Sequence, residues 1–303
     1  MIKATAEPLE YRLIKYVVPI PCYICGANNT YDSEFCHLCL APMSLAHQAN
    51  AQDVKPEMIG VIGPSGVGKT VFLGMLMDML SQPTSRIQAL ARGAFSITMQ
   101  QNTISALAHC AFPHKTPTEP DRWNWVHCQV RRPGQRHDME MLMPDMAGEA
   151  ILDEVEHPNS YRIIAQFLKK SAGAMVLIDA SQLQEGGREQ DFFSMKLLTY
   201  LNELDAEAKQ GWCKRPLAVI LTKADCCDEC RDDPADFART HAAGLWQLCR
   251  QRFERYRFFA ASVSGACLSC NTLTEGRLYF PLRIEPHGIV EPFEWLVEQL
   301  ETK

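Results

Sequence analysis

Eight consecutive residues, Gly63-Pro64-Ser65-Gly66-Val67-Gly68-Lys69-Thr70, have the types and spacing to hold a row of phosphates. They satisfy G-x-x-x-x-G-K-[ST], the P-loop pattern. Its glycines let the backbone curl until its N–H groups point inward, its lysine reaches the outer phosphates, and its final hydroxyl reaches a magnesium ion. The dipole of a following helix adds to the attraction. Such a loop works only between a buried strand and a helix, and the flanks supply both. Residues 58–62, Met-Ile-Gly-Val-Ile, form a short apolar run that reads as a strand, and the spacing predicts a helix over 69–80.

Cysteines make the second chemical pattern. The chain has 13 of them, several in C-x-x-C pairs. Cys22-x-x-Cys25 and Cys36-x-x-Cys39 are ten residues apart, the arrangement of two knuckles closing a tetrahedral four-thiolate zinc site. So small a unit has little core of its own, so the metal would supply folding energy. The stretch resembles the N-terminal zinc ribbons of prokaryotic proteins, including the closing Cys39-Leu40-Ala41-Pro42-Met43. Residues 1–20 carry Glu7, Glu10, Arg12 and Lys15 and do not read as a signal peptide, so reduced thiols holding metal in the cytoplasm are expected rather than disulfides.

Positioning these groups requires a framework, and the pattern from residue 57 onward provides one. Apolar runs alternate with helical stretches, as in a parallel sheet with crossover helices. Strands are predicted at 58–62, 123–130, 138–143, 174–179, 216–222 and 256–261, with a further one expected at 11–18. Helices are predicted at 69–80, 149–170, 190–209, 235–254 and 290–302. The expected architecture is a doubly wound, mostly parallel six-stranded α/β domain whose ligand lies at the carboxyl ends of its strands. Residues 1–45 would form a lead-in and ribbon, 46–56 a linker, and 57–303 the main domain, with insertions near 81–112 and 266–288.

Three further short motifs fall at predicted strand ends: Asp145-Met146-Ala147-Gly148-Glu149, Thr222-Lys223-Ala224-Asp225 and Ser262-Val263-Ser264. With the P-loop ahead of them, the chain resembles a Ras-like GTPase of the translation-factor-related (TRAFAC) class. That class carries D-x-x-G, [NT]-K-x-D and S-A-x in this order. The resemblance implies that Gly63, Pro64, Ser65, Gly66, Val67, Gly68, Lys69 and Thr70 hold the phosphates of GTP or GDP. Asp145 would serve Mg2+ with Thr70, and the Gly148 N–H would meet the γ-phosphate. Asp225 would pair with the guanine edge, Lys223 would cover the base, and Ser262-Val263 would close on it. Thr222 stands where Asn is commoner, and Val263 replaces the usual Ala.

The same resemblance calls for a first-switch threonine ahead of the 123–130 strand, and Thr116 and Thr118 both qualify, with Thr116 favoured. Glu149 stands where many members place a water-orienting Gln, so it either orients water or simply begins a helix, where acidic residues are favoured. Slow intrinsic turnover is expected. Arg131, Arg132 and Arg136 belong to a turn between two strands rather than to an arginine finger. Cys227-x-x-Cys230 and Cys267-x-x-Cys270 follow the two base-contacting loops, which in a Ras-like sheet leave neighbouring strands, so a second zinc site tying the loops together is expected. The ribbon, the insertion and the D-x-x-G-E resemble the double-GTPase families of bacterial GTPase-associated conflict systems.

Composition removes other classes. The net charge is −6, which does not support a general nucleic-acid face. No apolar run approaches the roughly 18 residues of a membrane helix. Two functions remain. One is a GTP-hydrolysing switch that meets a protein partner through its ribbon or switch loops, with a second GTPase among the candidate partners. The other is an adaptor that holds nucleotide structurally. An ATPase is weaker, because Asp225 counts against it.

Overall fold

The computed structural model describes residues 19–52, 55–83, 85–133, 138–205, 212–272 and 276–301. The strand expected at 11–18 and the turn residue Arg136 lie outside them.

Two minimal strands, β1 (Ile20–Pro21) and β2 (Asn28–Asn29), pair antiparallel and open the ribbon. A helix, α1 (Met43–Gln52), then leads to β3 (Glu57–Ile62), and α2 (Lys69–Ser81) follows the P-loop. Next come β4 (Gln88–Arg92) and α3 (Gly93–Ala108). The chain continues through β5 (Asn124–Arg131), β6 (Met139–Asp145), α4 (Gly148–Glu156), α5 (Arg162–Lys170) and β7 (Gly173–Asp179). Beyond lie the single turn α6 (Ala180–Gln184), α7 (Arg188–Leu204) and β8 (Leu217–Thr222). The turn α8 (Asp228–Asp232), α9 (Pro234–His241), α10 (Ala243–Arg252) and β9 (Tyr256–Ala260) precede a long hairpin, β10 (Ser262–Thr272) with β11 (Gly276–His287). The last element is α11 (Glu291–Glu301).

The central sheet has seven strands in the order β4-β5-β6-β3-β7-β8-β9, one more than expected. From β6 to β9 neighbours are parallel, whereas β5 runs antiparallel to both β6 and β4. The additional strand is β4, inside the segment read as an insertion. Its sequence, Gln-Ala-Leu-Ala-Arg, has no β-branched or aromatic residue and only a three-residue apolar run, so little marks it locally as a strand. It is held by five residue pairs with β5 at the edge of the sheet. By contrast β7 and β8 are buried along their whole length, as parallel strands covered on both faces must be.

Helices cover both faces. One core contains β3, α2, α3 and α11 side chains, including Phe72, Leu76, Met99 and Phe293. α2 is apolar nearly all round because α3 lies over the side that the sheet does not cover. The two helices come so close that a Cβ on Gly74 would sit 2.2 Å from the Thr103 hydroxyl, which explains a glycine in mid-helix. The opposite core joins Trp125, Phe167, Leu197 and Leu245.

That second core also takes in Ile20, Ile24, Met43 and Leu45 from the ribbon and α1. The Tyr23 hydroxyl donates to the Pro56 carbonyl at the foot of β3. The ribbon therefore shares a core with the main domain instead of hanging from it. The linker expected at 46–56 is in part helix: Ala46, His47, Gln48, Ala49 and Ala51 continue α1, and alanine and glutamine favour that state. Two predicted helices are broken. Residues 149–170 divide into α4 and α5 at a turn containing Pro158, where the buried Glu154 accepts from the Asn159 and Tyr161 N–H groups. Residues 235–254 divide at Ala242. Helix α7 ends at Leu204, and the expected insertion at 266–288 is the β10–β11 hairpin.

Candidate functional site

Four loops leave the carboxyl ends of β3, β6, β8 and β9, the edge where an open parallel sheet holds ligands. The P-loop is shaped by glycine. Gly66 and Gly68 have φ of 77° and 89°, which L-residues seldom adopt. A Cβ on Gly63 would meet the Leu177 carbonyl oxygen at 2.3 Å. Lys69 is only 6% exposed, and its ammonium donates to the Gly63 and Pro64 carbonyls at 2.9 and 3.0 Å. Burial pulls its pKa down to about 8, against the opposing pull of Asp145 and Glu149.

Beside it, three residues far apart in sequence converge. The Thr70 hydroxyl donates to Asp145 Oδ2 at 2.9 Å, the Thr116 hydroxyl donates to the same oxygen at 2.9 Å, and the two hydroxyls are 3.0 Å apart. Asp145 is fully buried, and its second oxygen, Oδ1, has no hydrogen-bond partner among the described residues. Burial raises the carboxyl pKa, and the two hydroxyls oppose it. A buried carboxylate with an unmet oxygen beside two hydroxyls is an all-oxygen donor set for a small hard cation. These residues therefore fit the Mg2+ that the motifs imply. Of the two candidate threonines, Thr116 is the one whose hydroxyl reaches Asp145; Thr118 is exposed. The loop is anchored by the buried Trp123, whose indole N–H donates to the Pro117 carbonyl at 2.9 Å.

Gly148 opens α4 directly against the P-loop, and a Cβ there would stand 2.3 Å from the Ser65 nitrogen. Glu149 follows. Its Oε1 is ion-paired with Lys115, and its Oε2 is buried without a hydrogen-bond partner among the described residues. Burial would raise its pKa, but Lys115 and the nearby Ser65 hydroxyl hold it below the usual range. Arg131 pairs with Asp138 and Arg132 with Glu298, as expected of a turn away from the cleft.

At the other end of the cleft, the Thr222 hydroxyl donates to the Ile178 carbonyl at 3.1 Å. Lys223 takes a left-handed conformation, φ 56°, and its ammonium reaches Asp179 Oδ2 at 2.5 Å. Asp225 lies in a tight turn, with its pKa raised by partial burial, and accepts a long bond from the Ser264 hydroxyl at 3.4 Å. The Ala224 N–H donates to the Ala261 carbonyl at 3.2 Å, which joins the two base-side loops. Ser262 and Val263 begin β10 beside them. Sequence reasoning missed Asp179, Ser264 and Lys115. Asp179 left one signal, a charged residue closing a fully apolar strand.

The ribbon cysteines meet. All four thiol sulfurs of Cys22, Cys25, Cys36 and Cys39 lie within 4.8 Å of one another, with Cys22–Cys39 at 3.7 Å and Cys25–Cys36 at 3.5 Å. Ligands about 2.3 Å from a tetrahedral zinc stand about 3.8 Å apart, so the set fits zinc. Each pair wraps in a knuckle turn, closed by the Gly26 N–H on the Cys22 carbonyl and the Leu40 N–H on the Cys36 carbonyl. Asn29 Nδ2 lies 3.5 Å from Cys36 Sγ, while its oxygen accepts from His37. The expected second site is not assembled among the described residues. Cys227 and Cys230 are buried, but Cys267 is exposed and donates to Ser264 at 3.2 Å. The physical reason is the backbone: residues 267–270 run as regular strand, whereas a zinc knuckle needs a turn. The side chain of Cys270 lies outside those described.

The family model for Double-GTPase 2 matches residues 57–266. No curated protein matches the chain. Among solved structures, similarity is found to a small COPII coat GTPase, an ADP-ribosylation-factor-like protein, from Encephalitozoon cuniculi in complex with GDP, at 13% identity and TM-score 0.39 over 82% of this chain and 81% of that one. A putative nucleolar GTP-binding protein from Plasmodium falciparum is similar at 13% identity and TM-score 0.42, covering 82% and 87%. The Ski7 GTPase-like domain of S. cerevisiae, bound to GTP, is similar at 16% identity and TM-score 0.45. That match covers 85% of this chain and about half, 52%, of the other. No helix among the described residues is long and apolar enough to cross a membrane.

Proposed function

The chain belongs to the Double-GTPase 2 family, and from that premise we propose that it is a Mg2+-dependent GTP-binding switch that hydrolyses GTP. The observation that carries this reading is the convergence of Thr70, Thr116 and Asp145 beside a buried Lys69, with Asp145 Oδ1 left unmet. A cation at that place would neutralise phosphate charge. Lys69 and the P-loop N–H groups would hold the phosphates in position, and the Gly148 N–H would register the outermost one. Positioning and charge stabilisation are most of what phosphoryl transfer asks of a protein. Because Thr116 and Gly148 stand on two different loops, loss of that phosphate would release both, and a partner could read the change.

Asp225 supports guanine over adenine, since its carboxylate would accept from the N–H groups on the guanine edge. The ribbon supplies the partner-facing module, with one zinc held by Cys22, Cys25, Cys36 and Cys39. A second reading, a nucleotide-stabilised adaptor, is favoured by one feature: the ribbon shares a core with the nucleotide domain. Phosphate release and fluorescent-nucleotide binding, with GTP and ATP, with and without Mg2+, separate the two. Hydrolysis of GTP, lost in Lys69→Ala, is expected. Binding without hydrolysis would favour the adaptor, and equal affinity for ATP would overturn the base assignment.

A further inference from the structure

Lys115 immediately precedes Thr116, and its ammonium is ion-paired with Glu149 although the side chain is 67% exposed. Three observations fix where that pair lies. Thr116 is pinned by its hydroxyl to Asp145, so the residue before it stands over the P-loop mouth. Glu149 follows Gly148, which packs directly on Ser65. The charge of Lys115 is also close enough to bear on Lys69 inside the P-loop. Glu149 gives Oε1 to Lys115 and keeps Oε2 buried with no hydrogen-bond partner among the described residues, an acceptor still open to a donor.

We propose that Lys115 and Glu149 act together on the γ-phosphate: Lys115 supplies in cis the positive charge for phosphoryl transfer, and Glu149 Oε2 orients the attacking water. The proposal rests on the reading of the chain as a GTP-hydrolysing protein. A lone carboxylate beside a γ-phosphate would repel it, so Glu149 is tolerable at this position only with a cation attached, and Lys115 is that cation. In the step itself, the water oxygen attacks the γ-phosphorus in line. The bond from that phosphorus to the bridging oxygen breaks, and its electron pair remains on the β-phosphate of GDP. Both water hydrogens leave with inorganic phosphate, one relayed through the Glu149 carboxylate, which ends unchanged. Turnover then needs no arginine from a partner.

The test uses the full chain, comparing single-turnover hydrolysis with binding of fluorescent GTP and GDP in the unmodified protein, Lys115→Ala, Lys115→Arg and Glu149→Ala. Lys115→Ala is expected to slow hydrolysis about 100-fold, the size of effect seen when one charge-stabilising group is removed, while GDP affinity stays within about threefold. Lys115→Arg keeps the charge and should recover most of the rate. Glu149→Ala, which leaves no acceptor for the water, should bind both nucleotides and hydrolyse slowly. Hydrolysis by Lys115→Ala at the unmodified rate would overturn the proposal, as would equal loss of GTP and GDP binding, which marks a structural role. GTP binding with no hydrolysis by the unmodified protein also overturns it while leaving nucleotide binding intact. Failure of the unmodified protein to bind GTP overturns the functional reading itself.

Discussion

On the proposed reading, the end of the cleft that would take the phosphates and the end that would take the base are built by different means. At the phosphate end Lys69 and Asp145 are buried and, with the half-buried Thr70 and Thr116, they make four hydrogen bonds of 2.9 to 3.0 Å. Two glycines, Gly63 and Gly148, sit where any side chain would strike backbone. At the base end Asp225 is half buried, its bond to Ser264 is 3.4 Å long, and the loops are joined by one backbone bond. The difference is what the proposed ligand would require. Phosphate charge must be met by groups already stripped of water and fixed in place, because reorganising them on binding would cost affinity. A base edge is read by a few directional bonds near the surface.

This comparison can be broken from its strong side first. Lys69→Ala removes the one buried cation at the phosphate end. Truncating a desolvated charge partner costs about 2–5 kcal/mol, so GTP affinity by titration calorimetry should fall roughly 30-fold to over 1,000-fold. A loss of less than tenfold would mean that the phosphates are held elsewhere.

Gly148→Ala tests the same end through shape. The new Cβ would lie 2.3 Å from the Ser65 nitrogen, and the atoms it meets are P-loop backbone, which has little room to yield. Overpacking of this kind costs about 1–3 kcal/mol. A lower Tm and a weakened preference for GTP over GDP are expected together. An unchanged Tm would show that the P-loop and α4 are not in contact in solution.

At the base end, Asp225→Asn exchanges an acceptor oxygen for a donor. A hydrogen bond to a charged group is worth about 1.5–3 kcal/mol, so GTP affinity should drop about 10- to 150-fold. Xanthosine triphosphate, which presents an acceptor where guanine presents the amino group, should recover much of it. Failure of the xanthine nucleotide to bind better than GTP would remove Asp225 from the base site.

What could be read in advance followed the same division. The phosphate end was legible because a P-loop is contiguous and each of its residue types is forced: glycines by backbone angle, Lys69 by charge, Thr70 by its hydroxyl. The ribbon was legible for the same reason, since four thiols at fixed spacing have few other uses in so small a unit. Strand β4 was not legible, because its pairing with β5 comes from tertiary placement, and Gln88 to Arg92 have no strand preference of their own. The sharing of core between the ribbon and the domain was equally hidden, as Ile20 and Met43 look like ordinary apolar residues. The cysteines of β10 misled for an instructive reason. C-x-x-C marks metal only where the backbone turns, and residues 267–270 go straight.

The smallest expected effect belongs to Asp179, which the motifs did not point to. Its carboxylate is fully buried at the end of β7, accepts from the Ser181 and Gln182 N–H groups as the cap of α6, and holds the Lys223 ammonium at 2.5 Å. Lys223 has a positive φ and lies beside Asp225, so that ion pair fixes the stem expected to cover the base. Asp179→Asn retains an oxygen for the cap and removes the charge from the pair. Because the Lys223 side chain is 43% exposed, solvent screens much of the attraction, and about 0.5–1 kcal/mol is at stake. GTP and GDP affinities should fall together by roughly two- to fivefold, since the change lies away from the phosphates, and Tm should hardly move. A selective loss of GTP over GDP would instead tie Asp179 to the phosphate end and erase the separation between the two halves of the cleft.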